Sequence, residues 1–309
     1  MIRVRRSSCW VALLASASSL TPGLVAQTPP PASQNPSPMV ETTRAHERLT
    51  QSEIPGTIRT FAGPDNKPVE LFIPEAARRA SEVNLVIHFL GLAWIPELAV
   101  SGIKNNTVVA VLNLGAGSGV YDRAFSNPAA FDTLLVTIGR ELTGAAGKDV
   151  RVREITLSGF SAGHGAIRAI LREPRHFTRV DAILLMDGMH TSYVPEGVTL
   201  EKGGTLDPKN LDAFVHFAEE AVKGNKRFVI THSEIFPGTF ASTTETADYL
   251  LKSLGLKRTP VLEWGPRGMQ QLSEVHAGRF VLMSFAGNSA PDHVDHFQGM
   301  PEFLARLSR

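Results

Sequence analysis

Glu154-Ile-Thr-Leu-Ser-Gly-Phe-Ser-Ala-Gly-His-Gly-Ala-Ile-Arg-Ala-Ile-Leu171 runs a short apolar strand into Gly159-x-Ser161-x-Gly163 and then straight into a helical pattern. A serine on so sharp a strand-to-helix turn sits in strained backbone with its hydroxyl pushed out above the sheet. The residues two before and two after it must be nearly free of side chain. Gly159 and Gly163 meet that demand, and Gly165 is expected to let the following helix press closely on the strand. Flanked by strand and helix on the correct sides, the pattern reads as a nucleophile elbow.

Working outward, the chain alternates apolar strands with amphipathic helices. Thr57-Ile-Arg-Thr-Phe61 and Val69-Glu-Leu-Phe-Ile73, joined by Gly63-Pro-Asp-Asn66, predict an antiparallel hairpin. Nearly continuous apolar runs follow at Asn84 to Phe89, Val108 to Leu114, Glu154 to Leu157, Val180 to Met186, Arg227 to Thr231 and Arg279 to Phe285. Such runs are expected where helices cover both faces of a parallel sheet. Helix punctuation agrees: Asn127-Pro128 with a stop near Gly144, Asp207-Pro208 with Gly224, and a capping box Ser242-Thr-Thr-Glu245 closed by Gly255. A final helix is expected over Val294 to Leu307. The fold class is therefore α/β, an antiparallel start followed by a doubly wound, mostly parallel sheet.

The ends carry a different message. Arg3, Arg5 and Arg6 precede an apolar run from about Cys9 to Leu20, with a cleavage site expected before Gln27. The run is short of the ~20 residues a membrane-spanning helix needs, so residues 1–26 read as a secretory signal peptide and the mature protein as secreted or periplasmic. Residues 27–40 hold five prolines among Ser and Asn and read as an extended linker, leaving residues 41–309 as one domain. The single cysteine, Cys9, lies within the leader, so neither disulfide nor thiol chemistry is expected. Losing residues 1–26 removes three arginines and no acid, leaving 28 basic against 30 acidic side chains, a formal charge of −2. No basic tract then remains to suggest nucleic acid, and no membrane span survives removal of the leader. The oligomeric state stays open.

A serine hydroxyl becomes a nucleophile when a base takes its proton and an acid holds that base in the right tautomer. In an open parallel sheet all three belong at carboxyl ends of strands. That rule screens the ten histidines and selects His293, just past the last strand, with His296 one turn later as its rival. For the acid, Asp187 follows the strand ending at Met186, and Glu234 follows the next strand; Asp187 is preferred because it is short, sits at the strand end and precedes Gly188. The oxyanion needs two amides aimed at it: Ala162, just after the nucleophile, and Leu92, in the loop His88 to Leu92 where Gly91 permits unusual backbone geometry.

These residues resemble a serine hydrolase of the α/β-hydrolase superfamily, over about residues 57–309. The resemblance rests on Gly159-Phe-Ser161-Ala-Gly163, the chain order Ser, acid, His, the run His88-Phe-Leu-Gly91, and His293 followed by His296, Pro301 and Phe303. Leu90 and the lack of an Asp after the Arg227 to Thr231 strand depart from the pattern. The resemblance implies hydrolysis of an ester, thioester or amide through an acyl-enzyme without a cofactor, and a carboxylic ester, small or polymeric, is the expected substrate. Two other readings stand beside it: a hydrolase-fold binding protein without chemistry, and a metal-dependent hydrolase using Asp292, His293, Asp295 and His296. The glycine-rich Gly115, Gly117 and Gly119 loop lacks the phosphate-loop lysine and reads as a flexible strand-end loop near the site, with Tyr121 either shaping the pocket or packed; His88 and His232 read as lining the site or as buried and hydrogen-bonded, and His164, Trp94 and Trp264 as structural.

Overall fold

The structure, a computed structural model, describes residues 45–103 and 105–307. The expected signal peptide and the proline-rich linker lie outside the described residues. Among the described residues no helix is long and apolar enough to cross a membrane.

The strands are β1 (Gly56–Ala62), β2 (Pro68–Pro74), β3 (Glu82–Phe89), β4 (Thr107–Leu112), β5 (Arg151–Phe160), β6 (Ala182–Met186), β7 (Tyr193–Val194), β8 (Thr205–Leu206), β9 (Arg227–His232), β10 (Thr259–Trp264), β11 (Gln270–Ala277) and β12 (Phe280–Phe285). The helices are α1 (Trp94–Ser101), α2 (Ser118–Ala124), α3 (Pro128–Ala146), α4 (His164–Leu171), α5 (Pro174–Arg179), α6 (Asp212–Val222), α7 (Thr243–Leu254), α8 (Ala290–Gln298) and α9 (Met300–Leu307). Ten strands form one sheet in the order β1-β2-β4-β3-β5-β6-β9-β12-β11-β10, while β7 and β8 make a separate small hairpin. The stretch from β4 to β12 is parallel throughout, and β1-β2 and β11-β10 pair antiparallel at its two margins. This is the α/β-hydrolase fold, with helices on both faces of a mixed sheet.

Alternation along the central strands explains the two layers. Leu85, Ile87 and Phe89 of β3 and Ile183 and Leu185 of β6 face one core, shared with Phe131, Ile138, Ile167, Phe214 and Leu250 of the helices above. Val86 of β3 and Leu184 and Met186 of β6 face the other, shared with Ile95 and Val100 of α1, Phe297 of α8 and Phe303 of α9. With both faces buried, period-two patterning disappears and the strands read as continuous apolar runs. Because β4 lies on one side of β3 and β5 on the other, the order in which strands are added reverses between β3 and β5. A crevice opens outside their carboxyl ends, and the loop after β3 and the turn after β5 border it.

Several boundaries depart from expectation. The last helix is two: α8 begins at Ala290 under a capping box from Ser289 and Asp292, and Gly299 separates it from α9. Asp207 does accept the Lys209 amide, yet it caps only the short turn Pro208–Asn210, and α6 starts at Asp212. The stop of α3 is Gly147, in left-handed backbone, instead of Gly144. The antiparallel β10–β11 margin was not expected, and Trp264 on it is 73% exposed rather than core. Residues 45–55, before β1, lie against α8: His46 Nδ1 bonds Asp295 at 2.8 Å, Arg48 pairs with the same carboxylate, and the Leu49 amide donates to Gln298 Oε1 at 2.8 Å.

One buried acid on α1 gives the fold a pH-dependent weakness. Glu97 is 7% exposed, and one of its oxygens has no hydrogen-bond partner among the described residues. Burial, with the neighbouring Glu70 carboxyl adding to it, pushes its pKa from 4.5 up to about 7. A raised folded-state value means that the neutral group's contribution is complete below 4.5 and is lost as pH rises through about 7. Glu97→Gln should therefore flatten the fall in Tm between pH 5 and pH 8; an unchanged slope in paired thermal melts would refute this.

Candidate active site

Ser161 follows β5 with φ 48°, left-handed backbone that a non-glycine residue adopts only under local constraint. The constraint is visible. His164 Nδ1 donates to the Ser161 carbonyl at 2.9 Å. Gly188 passes so close that a Cβ there would lie 2.8 Å from Ser161 N and 2.6 Å from its O. Gly163 lies under β3, where a Cβ would meet Phe89 O at 2.2 Å. The tight approach at Gly165 differs from expectation: its Cβ would strike Ser118 O at 2.1 Å, so the glycine admits α2 and not the strand.

Asp187 follows β6, also in left-handed backbone at φ 44°, and is 1% exposed. Its carboxylate accepts from His293 Nδ1 at 2.7 Å, Thr243 Oγ1 at 2.6 Å, Ser233 N at 2.9 Å and Ser233 Oγ at 2.8 Å. Burial alone would raise its pKa, but the His296 and His293 rings and the Thr243 hydroxyl outweigh that and hold it well below the usual 3.8. The carboxylate is thus a fixed negative charge on the Nδ1 side of His293. Nε2 is left as the ring edge that can exchange a proton. The His293 ring packs at 4.5 Å from the ring of Phe160, the residue before Ser161, and Phe160 in turn stacks on Phe297.

The rivals have other hydrogen-bond partners. His296 is buried and its Nδ1 meets Thr231 Oγ1 at 2.8 Å. Glu234 is exposed and its side chain makes no hydrogen bond to His293. The cluster Asp292, His293, Asp295 and His296 does not converge: Asp292 caps α8, the two histidines face Asp187 and Thr231, and the acids gather instead with His46, their ligand atoms within 4.8 Å. Arg48 already pairs with Asp295 there.

The loop after β3 is held from two sides. His88 bonds Ser158 Oγ at 3.1 Å and donates to the Leu90 carbonyl at 3.0 Å, and burial lowers its pKa to about 3, so the ring stays neutral. Asn113 clamps Gly91 with both ends of its amide, each at 2.9 Å. Leu90 as well as Gly91 has positive φ, 70° and 148°. Gly91 presses on Phe297, where a Cβ would sit 2.3 Å from the ring. The Gly91 amide is spent on Asn113, whereas the Leu92 amide makes no hydrogen bond to another described residue. Ala162 occupies the first turn after β5, where amides have no preceding carbonyl to reach.

Two cavities flank this constellation. One of about 430 Å³ is lined by His293, Ser289, Ile235 and Phe240, and one of about 340 Å³ by Ala162, His164, Ser118 and Asn210; His190 and Phe240 border both. Reasoning from the sequence did not single out Thr243, Ser233, Asn113, Phe160 or His190. Only Thr243 carried a signal, its place beside the capping serine of α7. Tyr121 is fully buried with its hydroxyl on the Leu114 amide, and His232 bonds Arg258, so neither borders the cavities.

Comparison of the sequence with protein-family models and with curated proteins finds no match. Among solved structures the chain is similar to Thermogutta terrifontis esterase 2 phosphoramylated by tabun, with 17% identity, coverage of 83% of this chain and 96% of that one, and a TM-score of 0.45. It is also similar to carboxyl esterase 2 from the mycorrhizal fungus Tuber melanosporum (12% identity, 84% and 88% coverage, TM-score 0.47) and to Est1E from Butyrivibrio proteoclasticus (10% identity, 82% and 100% coverage, TM-score 0.38).

A depressed carboxyl contributes stability that is present above its ordinary pKa and lost as pH falls through the folded value. Thr243→Val removes one donor to that charge and should cost about 2 kcal/mol at pH 7, with acid unfolding moving to higher pH. Denaturant melts at pH 7 and pH 3 test this; an unaltered acid midpoint would sink it.

Proposed function

We propose that the chain is an exported serine hydrolase that cleaves a carboxylic ester through an acyl-enzyme, with Ser161 as nucleophile, His293 as base and Asp187 as the acid that orients it. The observation that carries this reading is the 2.7 Å bond from His293 Nδ1 to a buried Asp187 whose next residue packs on the backbone of Ser161. The arginines and apolar run at the amino terminus support export.

Each part has a defined task. With Nδ1–H given to Asp187, the Nε2 lone pair accepts the Ser161 proton as Oγ bonds to the acyl carbon. The carbonyl oxygen becomes an oxyanion and takes hydrogen bonds from the Ala162 and Leu92 amides. Collapse breaks the bond to the alkoxy oxygen, which leaves with the proton from Nε2. Water then repeats the sequence: Nε2 takes its proton, the hydroxide oxygen bonds to the acyl carbon, and Ser161 Oγ leaves reprotonated with the acid as product. Asp187 remains ionised throughout, because the donors around it favour the charged form.

Ser161→Ala should abolish turnover of a p-nitrophenyl acyl ester and labelling by a fluorophosphonate probe while leaving the melting profile intact. Asp187→Asn should lower kcat by roughly 10³-fold to 10⁴-fold, since an amide at that place favours the wrong imidazole tautomer. A folded native chain inert to the probe would instead favour a binding protein. Chelator-sensitive hydrolysis that persists in Ser161→Ala would favour metal chemistry.

A further inference from the structure

Two imidazoles outside that machinery border the cavities beside Ser161. His164 gives its Nδ1–H to the Ser161 carbonyl, so its Nε2 carries a lone pair. That nitrogen is buried, in a residue 1% exposed, and has no hydrogen-bond partner among the described residues. His190 repeats the arrangement: Nδ1 donates to the Ala241 carbonyl at 3.0 Å, and Nε2 is left as an acceptor. The two rings meet edge to face at 5.6 Å. Burial lowers the pKa of both, that of His164 to about 3, so both are neutral near pH 7.

Several side-chain donors of the surrounding wall are engaged within the protein. Thr191 Oγ1 donates to the Asp207 carbonyl, Asn210 Nδ2 to the Asp207 carboxylate, and Arg168 Nε to Asp122 at 2.8 Å. An acceptor buried without a donor is a standing cost that an occupant can relieve. A carboxylate or phosphate would meet lone pair with lone pair, and a hydrocarbon would leave the nitrogen unfilled. A hydroxyl fits, with Phe240 offering its ring to the adjoining skeleton.

We propose that the cavity between Ala162 and His190 selects esters bearing a free hydroxyl group, which donates to His164 Nε2 with His190 as the neighbouring acceptor. The inference rests on the ester-hydrolase reading and adds the substrate class. The hydroxyl belongs to either the acyl or the alcohol portion, and two arms of one experiment distinguish them. The acyl arm compares p-nitrophenyl 3-(4-hydroxyphenyl)propanoate with its deoxy analogue. The alcohol arm compares 4-hydroxybutyl butyrate with butyl butyrate.

In one arm the native full-length chain should favour the hydroxylated ester in kcat/KM by at least about tenfold, because a site built around a hydrogen bond discriminates against the analogue lacking it. His164→Asn keeps a donor near Nδ1 and removes the Nε2 acceptor; it should bring that ratio to within about twofold of unity, whatever it does to the absolute rates. His190→Asn, read the same way, serves if the first variant does not fold. No preference in either arm, or a preference untouched by both substitutions, overturns the proposal while leaving Ser161-dependent hydrolysis standing. Absence of Ser161-dependent hydrolysis of any of the esters overturns both readings.

Discussion

Taking a carboxylate out of water costs several kcal/mol unless its lone pairs are filled by donors. Asp187 meets that condition with donors from three separate segments: the end of β9, the start of α7 and the first turn of α8. Each donor is also an anchor. Losing the charge would leave a histidine, a threonine, a serine hydroxyl and a backbone amide facing one another without an acceptor, so the segments hold their places together or not at all. The geometry around His293 is therefore a by-product of solvating one buried ion with protein.

The same economy governs the crevice above β3 and β5. Left-handed residues at Leu90, Gly91, Ser161 and Asp187 all lie at the ends of parallel strands, where the chain must turn sharply off the sheet. Each is over-determined by neighbours: Asn113 and Phe297 hold Gly91, while His164 and Gly188 hold Ser161. Strain concentrated there is offset by two cores packed on opposite faces of the sheet.

Local rules made much of this legible in advance. Continuous apolar runs located the parallel strands, and Ser242 with Glu245 located the start of α7 by a capping box that the structure contains. The β10–β11 margin was illegible because β10 buries almost nothing, which leaves no apolar pattern to read. The break between α8 and α9 carried a signal that was passed over: Pro301, two residues after Gly299, has no N–H to give the Phe297 carbonyl, so one helix ends and another opens there. For the site, strand-end position narrowed the carboxylates to Asp187 and Glu234. Shortness and the following Gly188 favoured Asp187 of the two, and the Thr243 hydroxyl that closes on it comes from 56 residues onward. The Asn113 clamp on Gly91 spans two strands and leaves no trace in either one's sequence.

The short stretch before β1 ties down the helix that carries His293. His46 and Arg48 reach the Asp295 carboxylate, and the Leu49 backbone reaches Gln298, so α8 is gripped from outside as well as from the core. A chain trimmed to begin at Gln51 would keep the whole sheet yet release that grip and leave Asp295 without His46 and Arg48.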